Sequence, residues 1–359
     1  MTKHILQMSV KPDRTLVKIV KIVSIHPIEG ADRIEIAKIK GWQCVVEKNK
    51  YHVDELVIYF GIDSILDKTD PNTADFYKNN PTGRIRTIKL RNVLSQGYIV
   101  PLTWLSDRGY DISKYDENAD ITTEMGVTKY VAPEEIDIYL PKGDKHVPYP
   151  SFVRKTDEER LQNNLDFLIK LIKRKIVITV KYDGSSFTII IHNNMIILCS
   201  RNYLLTDESQ ENSHYFVMFR KLGIENELKN LGMNIAIQGE LIGPKINGNK
   251  IGVSECQYYV FNIWNIDTQT YLLHDDVMRI CEILKLNHVP IVFCGESSNI
   301  ELTLDKLLET ANNLKYQNGH LAEGIVIKTI DDENDRVSFK VISNAFLLCE
   351  NSKQSRKKK

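Results

Sequence analysis

The sequence lacks paired cysteines, grouped histidines and any excess of one charge. The six cysteines contain no Cys-x-x-Cys pair and lie far apart; they are Cys44, Cys199, Cys256, Cys281, Cys294 and Cys349. This spacing argues against zinc ligation and predicts reduced thiols. The nine histidines occur singly, without a His-Glu-x-x-His motif, so histidine is not expected to provide the chemistry.

Long apolar runs are also missing. No stretch approaches the roughly 18 apolar residues of a transmembrane helix, and the opening Met1-Thr2-Lys3-His4-Ile5 lacks the apolar core of a signal peptide. We therefore expect an intracellular protein without a membrane partner. The cytoplasm is the expected location, with the nucleus as an alternative because residues 357–359 are all lysine.

Charge is balanced, with 47 Lys and Arg residues against 47 Asp and Glu residues. A balance of this kind excludes a protein that coats nucleic acid by bulk attraction, so local patches matter more. One patch, Arg84-Ile85-Arg86-Thr87-Ile88-Lys89-Leu90-Arg91, partly alternates cationic and apolar residues. It predicts a strand with one basic face, for which simple solvation is the alternative interpretation.

The length of 359 residues, 42% of them hydrophobic, is sufficient for two domains. The mixture of strand-like and helical patterns predicts the α+β class. Short β-branched stretches separated by glycine and proline predict an OB-like antiparallel β-barrel over residues 1–110. Residues 111–150 are acidic and proline-bearing, which predicts a linker. Residues 151–350 predict a domain of antiparallel sheets with flanking helices, the first helix lying between Arg154 and Arg174. Residues 351–359 predict a basic tail.

The most informative motif is Lys181-Tyr182-Asp183-Gly184, which follows the apolar run 176–180 and precedes a second strand-like run. A lysine at the end of a buried strand can attack phosphorus if its pKa is lowered. Alone the motif is weak, because Asp-Gly between two β-branched runs is also an ordinary hairpin turn. The rest of the sequence has to decide between these interpretations.

Five further segments place polar residues within or beside strand-like runs. They are Ser200-Arg201-Asn202, residues 238–243 around Glu240, residues 258–264 around Phe261, residues 323–328 from Glu323 to Lys328, and residues 338–342 around Lys340. A carboxylate among apolar strand residues is costly without a partner, which favours function for Glu240 and Glu323. For Phe261, packing in an aromatic strand is the alternative.

In this order the segments resemble nucleotidyl motifs I, Ia, III, IIIa, IV and V of the covalent nucleotidyltransferase superfamily. Residues 26–32, 85–97 and 152–163 are similar to the Naegleria-type ATP-dependent RNA ligases, which carry an OB domain before the catalytic domain. DNA ligases and capping enzymes carry it after motif V, whereas only 19 residues of this sequence follow Lys340. The domain order therefore favours the RNA ligase resemblance.

The resemblance implies an ATP-dependent RNA ligase that acts in RNA repair or nick sealing. Lys181 would attack the α-phosphorus of ATP, expel pyrophosphate and become lysyl-AMP. The AMP would pass to an RNA 5′-phosphate, and a 3′-hydroxyl would then displace it. The implied partners are ATP and RNA ends or a nicked duplex, the implied metal is Mg²⁺ or Mn²⁺, and the expected state is a monomer.

The resemblance also implies residue roles. Catalysis is assigned to Lys181, Glu323 and Lys340. Contacts to ATP or AMP are assigned to Arg160, Lys181, Arg201, Glu240, Phe261, Glu323, Lys328 and Lys340. The metal is assigned to Asp183, Glu240 and Glu323, through retained waters because Mg²⁺ dehydrates reluctantly. RNA contacts are assigned to Arg84, Arg86, Lys89 and Arg91.

Three details remain open at this level. Lys340 and the metal are expected to lower the pKa of Lys181 and to stabilise phosphate charge. An exposed helix ion pair is the alternative interpretation for Arg160. Some RNA ligase families carry a second lysine two residues after the motif V lysine, where this sequence has Ile342, so their phosphate contacts do not transfer in detail.

Two other functions compete with RNA ligation. One is DNA nick sealing by the same superfamily, against which the domain order argues. The other is a non-enzymatic OB-fold RNA-binding protein with a decayed second domain. The joint presence of Lys181, Asp183, Glu240, Glu323 and Lys340 argues against decay.

Overall fold

The structure is a computed structural model that describes residues 15–130, 147–205 and 213–356. The chain divides into two compact units. Unit 1 comprises residues 1–132 and 351–359, and unit 2 comprises residues 133–350. None of the helices in the described ranges is long and apolar enough to cross a membrane.

Unit 1 is built from short antiparallel strands. These are β1 (Val17–Lys21), β2 (Ser24–Pro27), β3 (Ile34–Ile39), β4 (Trp42–Glu47), β5 (Leu56–Phe60), β6 (Ser64–Ile65), β7 (Thr87–Leu90), β8 (Val93–Gln96), β9 (Tyr98–Pro101) and β10 (Thr128–Lys129). Two short helices, α1 (Ala74–Asn79) and α2 (Thr103–Asp107), complete it. The strand orders are β1-β5-β9, β2-β3-β4, β7-β8 and β10-β6.

The antiparallel architecture predicted for the N-terminal region is confirmed, but the described strand pairs form four small sheets and not one closed barrel. The strands are only two to six residues long. Buried and partly exposed residues alternate along β3, as expected for a strand with one face in a core.

The predicted linker at 111–150 differs from the structure over its described part. Ile121 and Met125 are buried in unit 1, and the backbone of Asp120 forms an antiparallel β-bridge with that of Lys18 on β1. The acidic composition indicated solvent exposure, but the apolar side chains between the acidic residues pack inward. Residues 131–146 of the predicted linker lie outside the described residues.

Unit 2 contains two sheets. Its strands are β11 (Glu159–Arg160), β12 (Lys175–Lys181), β13 (Ser185–His192), β14 (Met195–Cys199), β15 (Ile235–Ile242), β16 (Gln257–Asn265), β17 (Thr270–Tyr271), β18 (Asn287–His288), β19 (Ile291–Glu296), β20 (Gly324–Thr329) and β21 (Ser338–Ile342). Its helices are α3 (Asp166–Lys170), α4 (His214–Leu222), α5 (Glu225–Asn230), α6 (His274–Ile283) and α7 (Leu304–Asn313). The last helix, α8 (Asn344–Arg356), begins in unit 2, and its residues from 351 onward are counted with unit 1.

The five-stranded sheet has the order β11-β21-β20-β12-β19, and the six-stranded sheet has the order β14-β13-β15-β16-β17 with β18 beside β16. All pairs are antiparallel except β11 with β21 and β16 with β18. Helices α4, α5 and α6 pack on the six-stranded sheet, and α7 packs on the five-stranded sheet. The α+β class predicted from the sequence is confirmed.

The helix predicted between Arg154 and Arg174 is wrong in extent. Only Asp166–Lys170 is α-helical, and Glu159–Arg160 forms the short strand β11. Leu161 and Leu171 are both buried in the core beside the five-stranded sheet, and Leu165 and Leu168 pack against the same cluster. Their spacing resembles that of a helix although the segment is only partly helical.

The predicted basic tail at residues 351–359 differs from the structure over its first six residues. The last helix continues from Asn344 to Arg356, so residues 351–356 are helical, and residues 357–359 lie outside the described residues.

Candidate active site

The strand registers of unit 2 bring the predicted site residues together. Lys181, the last residue of β12, stands opposite Gly324, so Glu323 lies beside it. On the next strands Lys340 pairs with Val326 and with Arg160. The sheet therefore converts residues that are distant in sequence into neighbours.

These residues border a cavity of about 320 Å³ in unit 2. Eight of the nine predicted ATP, catalytic and metal residues line it: Lys181, Asp183, Arg201, Glu240, Phe261, Glu323, Lys328 and Lys340. The ninth, Arg160, is buried on β11 beside Lys340 and is not among the described lining residues. Its burial contradicts the alternative of an exposed helix ion pair.

Lys181 and Glu323 form an ion pair. Lys181 Nζ lies 2.6 Å from Glu323 Oε2, and the two side chains are 25% and 19% exposed. Burial lowers the pKa of Lys181, but the carboxylates of Glu323, Glu240 and Asp183 outweigh it, so the pKa is raised. The expectation of a lowered pKa differs from the structure, because three carboxylates surround the ammonium.

Glu240 holds the turn that follows Lys181. Its Oε1 accepts a hydrogen bond of 2.9 Å from the backbone N–H of Gly184. Burial raises the pKa of Glu240 to about 7, although the charge of Lys181 opposes this rise. This carboxyl group therefore changes protonation near neutral pH.

Asp183 is held by a loop after β15 that the sequence analysis did not single out. Its Oδ1 accepts a 3.2 Å hydrogen bond from Asn247 Nδ2, and its Oδ2 is paired with Lys250 Nζ. Burial and the neighbouring Glu323 raise the pKa of Asp183, while Lys250 lowers it. The signal in the sequence is Lys245-Ile246-Asn247-Gly248-Asn249-Lys250, a polar loop directly after the Glu240 strand.

The two other lysines of the cavity differ in their contacts. Burial and the positive charge of Lys181 lower the pKa of Lys340 to about 7, and within the described ranges no carboxylate forms an ion pair with it. Lys328 is 7% exposed; its Nζ donates to the Phe261 carbonyl at 2.6 Å and to Asn262 Oδ1 at 2.8 Å. Burial lowers the pKa of Lys328 to about 7 as well.

Phe261 and Arg201 lie at other parts of the cavity wall. Phe261 is partly buried on β16 and also touches a small cluster that includes Val180 and Val289. Arg201 follows β14, and its Nη2 lies 2.6 Å from Asp157 Oδ1 in a half-exposed ion pair. An aromatic ring and an arginine at separate walls of one cavity suit a base and a phosphate or ribose.

Tyr316 connects two of these motifs and was also missed. Its hydroxyl donates to the Lys181 carbonyl at 3.1 Å and accepts from the N–H groups of Asp183 at 3.2 Å and Glu323 at 3.1 Å. One buried side chain thereby fixes the backbone on both sides of the Lys181–Glu323 pair. No sequence signal marks it, since it lies in the turn after α7.

The assignment of the metal to Asp183, Glu240 and Glu323 stays a prediction. Carboxylate oxygens are the ligands that Mg²⁺ and Mn²⁺ favour. The negative charges of Glu240 and Glu323 both act on Lys181 and raise its pKa. Within the described ranges, however, no three His, Cys, Asp or Glu side chains are arranged to hold an ion directly. The residues fit an ion held mainly through water.

The four predicted RNA contacts in unit 1 fall into two groups. Arg84 forms a 2.7 Å ion pair with Asp63 and packs 3.5 Å above the ring of Tyr130. Arg86 is half-buried, and burial together with the charge of Arg84 lowers its pKa. Lys89 and Arg91 are exposed at the hairpin of β7 and β8. Only this second group has ammonium or guanidinium groups open to a large ligand.

Comparisons with known proteins match both units. A family model described as RNA ligase matches residues 174–342, and one described as an OB-fold domain matches residues 16–102. The comparison with curated proteins found no match.

Solved structures of a Naegleria gruberi RNA ligase are similar over nearly the whole chain. The form with PPi is 31% identical, with a TM-score of 0.83, and the match covers 95% of this chain and 99% of that one. A mutant with AMP and Mn is 30% identical, with a TM-score of 0.82 and coverage of 93% and 98%. A mutant with ATP and Mn is 30% identical, with a TM-score of 0.81 and coverage of 92% and 98%. The chain therefore belongs to the Naegleria-type RNA ligase family, with an OB-fold domain followed by a ligase domain.

Proposed function

We propose that this RNA ligase uses ATP to load Lys181 with AMP and then transfers the AMP to the 5′-phosphate of an RNA end. The observation that carries the proposal is the position of Lys181 Nζ, which lies in the cavity 2.6 Å from Glu323 Oε2. The similar Naegleria ligase has been solved as mutants with ATP and with AMP, and also with PPi. ATP and PPi are the substrate and the leaving group of a first step of this kind, and AMP is the group that it transfers.

In the first step the Lys181 amine forms a bond to the α-phosphorus while the bond to the bridging oxygen breaks and pyrophosphate leaves. The attacking nitrogen must first lose a proton, because its ammonium form is favoured by the surrounding carboxylates. Glu323 Oε2 lies within hydrogen-bond distance of Nζ and is the group placed to take that proton. The product is a phosphoramidate between Lys181 and AMP.

Other residues bind the nucleotide. Lys340, whose pKa is lowered to about 7, becomes fully charged beside a phosphate, because an anion favours the ammonium form. Phe261 supplies an aromatic face for adenine. Arg201 contacts phosphate or ribose, and Glu240 contacts the ribose hydroxyls or the metal shell. Lys328 lines the cavity and supports the Phe261 strand through its hydrogen bonds, and Arg160 supports Lys340 from the neighbouring strand β11.

Glu240 and Glu323 would hold a divalent cation through water, and the ion would supply positive charge that favours the neutral amine and offsets the negative charge of the phosphate. The Naegleria structures contain Mn, and the oxygen ligands here suit Mn²⁺ or Mg²⁺.

In the second step an RNA 5′-phosphate oxygen attacks the lysyl-AMP phosphorus and Lys181 leaves as an amine. In the third step a 3′-hydroxyl attacks the 5′-phosphorus, AMP leaves, and the hydroxyl proton passes to solvent or to a nearby base. Unit 1 contributes RNA backbone contacts through Lys89 and Arg91. Further parts of the proposal are a substrate of RNA ends or a nicked duplex, a monomeric enzyme and a cytoplasmic location.

The experiment separates loading from sealing. A Lys181→Met variant is given either 5′-phosphorylated RNA with ATP or RNA that already carries AMP on its 5′ end, without ATP. We expect no sealing of the first substrate and measurable sealing of the second. Sealing of the first substrate at the wild-type rate would contradict the proposal, and matched DNA ends in both arms test the alternative of DNA ligation.

A further inference from the structure

Strand β16 contains a β-bulge at Phe261. On the neighbouring strand β15 the consecutive residues Gln238 and Gly239 pair with Asn262 and Val260, so Phe261 has no partner residue in this ladder. A bulge of this kind bends its strand and redirects the side chains beside it. The position of Phe261 therefore follows from a local irregularity of the sheet and not from its regular register.

The bulge also shifts the alternation of side chains along β16. Val260 before it and Ile263 after it lie in the same core, under α4, α5 and α6, although they are three positions apart and regular alternation repeats every two. Phe261 and Asn262, which lie between them, both border a small cavity that Lys328 also lines. Two consecutive residues of the six-stranded sheet thus meet Lys328, which belongs to the five-stranded sheet.

Lys328 contacts this pair of residues in three ways. Its Nζ donates to the Phe261 carbonyl at 2.6 Å and to Asn262 Oδ1 at 2.8 Å, and it lies 5.9 Å from the centre of the Phe261 ring. A buried ammonium is costly without acceptors, and here the backbone and the side-chain amide of the bulge provide them. Asn262 is thus part of what holds the ammonium beside the ring of Phe261.

The amide of Asn262 binds a second cation. Arg336 Nη2 donates to the same Oδ1 at 3.2 Å, lies 3.5 Å from Glu158 Oε1, and belongs to a guanidinium whose carbon is 4.0 Å from the centre of the Tyr271 ring. Asn262 is only 5% exposed, so one buried oxygen stands between the positive charges of Lys328 and Arg336. An apolar side chain at this position would leave both cations without this acceptor.

We propose that Asn262 is a positioning residue for the nucleotide base: its amide oxygen holds Lys328 and Arg336 at the bulge and thereby fixes the ring of Phe261 for stacking on the base. The inference rests on the proposed function, in which Phe261 supplies an aromatic face for adenine. It adds one consequence, that Asn262 affects the binding of ligands that carry a base and not of ligands that consist of phosphate alone.

The first arm of the test measures the affinity of the full chain for AMP and for PPi by isothermal titration calorimetry with Mg²⁺. Asn262→Leu, which removes the acceptor, is expected to weaken AMP binding by about tenfold, as loss of one base–aromatic contact does, and to leave PPi binding unchanged. Asn262→Asp keeps an oxygen that accepts from both cations, so we expect it to retain most of the AMP affinity. Equal losses for AMP and PPi, full AMP affinity in Asn262→Leu, or equal losses of AMP affinity in both variants would overturn the proposal.

The second arm tests whether Asn262 acts through Phe261. Asn262→Leu is expected to cause no further loss of AMP affinity in a Phe261→Leu background, whereas multiplicative losses would overturn the proposal. In single-turnover formation of enzyme-AMP, Asn262→Leu is expected to raise the half-saturating ATP concentration by about tenfold with little change in the maximal rate. A fall in the maximal rate at unchanged half-saturation would contradict a role in base binding.

The matched control is Asn265→Leu, on the same strand. The Oδ1 of Asn265 also accepts two hydrogen bonds, from the N–H groups of Asp267 and Thr268, and its loss is expected to leave both affinities unchanged. Melting curves identify any variant that fails to fold. If Asn262→Leu fails, Arg336→Met carries the comparison: a selective loss of AMP affinity supports the proposal, and unchanged AMP affinity overturns it.

The two proposals fail separately. If the wild-type chain binds AMP but forms no enzyme-AMP from ATP, the proposed function fails, while the affinities for AMP and PPi still decide the role of Asn262. If enzyme-AMP forms normally and Asn262→Leu binds AMP as the wild-type chain does, only the role of Asn262 fails.

Discussion

Lys181 Nζ and Glu323 Oε2 lie 2.6 Å apart although 142 residues separate them in the sequence. The contact follows from the pairing of β12 with β20, in which Lys181 stands opposite Gly324. The carboxylate both holds the nucleophile and favours its protonated form. If Lys181 is loaded with AMP as proposed, this loading depends on removing one proton from a stabilised ammonium.

A Glu323→Gln change is predicted to shift the pH dependence of loading. The pKa of Lys181 is raised by the carboxylates around it, so removing one of them lowers the pH at which the amine becomes neutral. The half-maximal pH of single-turnover enzyme-AMP formation should fall by about one unit or more, while the maximal rate also falls because glutamine accepts no proton. Glu309→Gln, on the surface of α7, is the control, and a half-maximal pH that stays fixed or rises contradicts the account.

Lys328 is predicted to make stability depend on pH. Its pKa falls from 10.5 to about 7 on burial, so between these values the unfolded chain binds a proton that the folded chain does not. The free energy of unfolding should therefore rise with pH across this window, by an amount on the order of a few kcal/mol. Lys328→Met should lose the part of this rise that Lys328 contributes and keep the part that comes from Lys340, whose pKa is also lowered to about 7. Lys306→Met, which removes an exposed lysine of α7, should keep the full rise, and urea denaturation from pH 6.5 to 10 measures both. A rise of equal size in all three proteins contradicts a lowered pKa of Lys328.

Tyr316→Phe is predicted to impair both stability and loading. The change removes one hydroxyl that bonds to Lys181, Asp183 and Glu323 backbone groups. Leaving these groups unpaired should cost about 1–3 kcal/mol of unfolding free energy. The maximal rate of enzyme-AMP formation should fall by a larger factor than the affinity for ATP. Quenched single-turnover experiments at several ATP concentrations measure both quantities. Full stability with an unchanged rate would show that the hydroxyl is dispensable.

The basic hairpin of unit 1 is predicted to bind the RNA backbone. A double Lys89→Ala and Arg91→Ala variant should lose RNA affinity and flatten the salt dependence of binding by about 1.4 to 1.8 units of log–log slope. Arg84→Ala should instead lower the melting temperature, because Arg84 pairs with Asp63 and packs on Tyr130. Filter binding at several salt concentrations and thermal melts measure the two effects. Equal losses of RNA affinity in both variants would contradict this division.

The sequence predicted which residues border the cavity best where each one stands on a strand or directly beside it. Lys181, Glu240 and Lys340 lie on strands and Glu323 directly precedes β20, and the pairing of those strands decides their neighbours. The prediction of one helix between Arg154 and Arg174 was wrong in extent. The same leucine spacing is compatible with a 3₁₀ turn at Leu161–Asn163 followed by the short helix Asp166–Lys170.

Lys250 and Tyr316 could not be predicted in the same way. Their contacts with Asp183 span 67 and 133 residues, and both residues lie in loops. The position of a loop depends on the packing of the elements around it and leaves no periodic pattern in the sequence. Direct contact with the turn after Lys181 became apparent only in three dimensions.

The most direct test of the central claim is incubation of the wild-type chain and of Lys181→Met with α-labelled ATP or α-labelled GTP and Mn²⁺, followed by denaturing electrophoresis. The account predicts label on the wild-type chain from ATP only, and no label on Lys181→Met. Label on Lys181→Met at the wild-type level, or wild-type label from GTP in place of ATP, would contradict it.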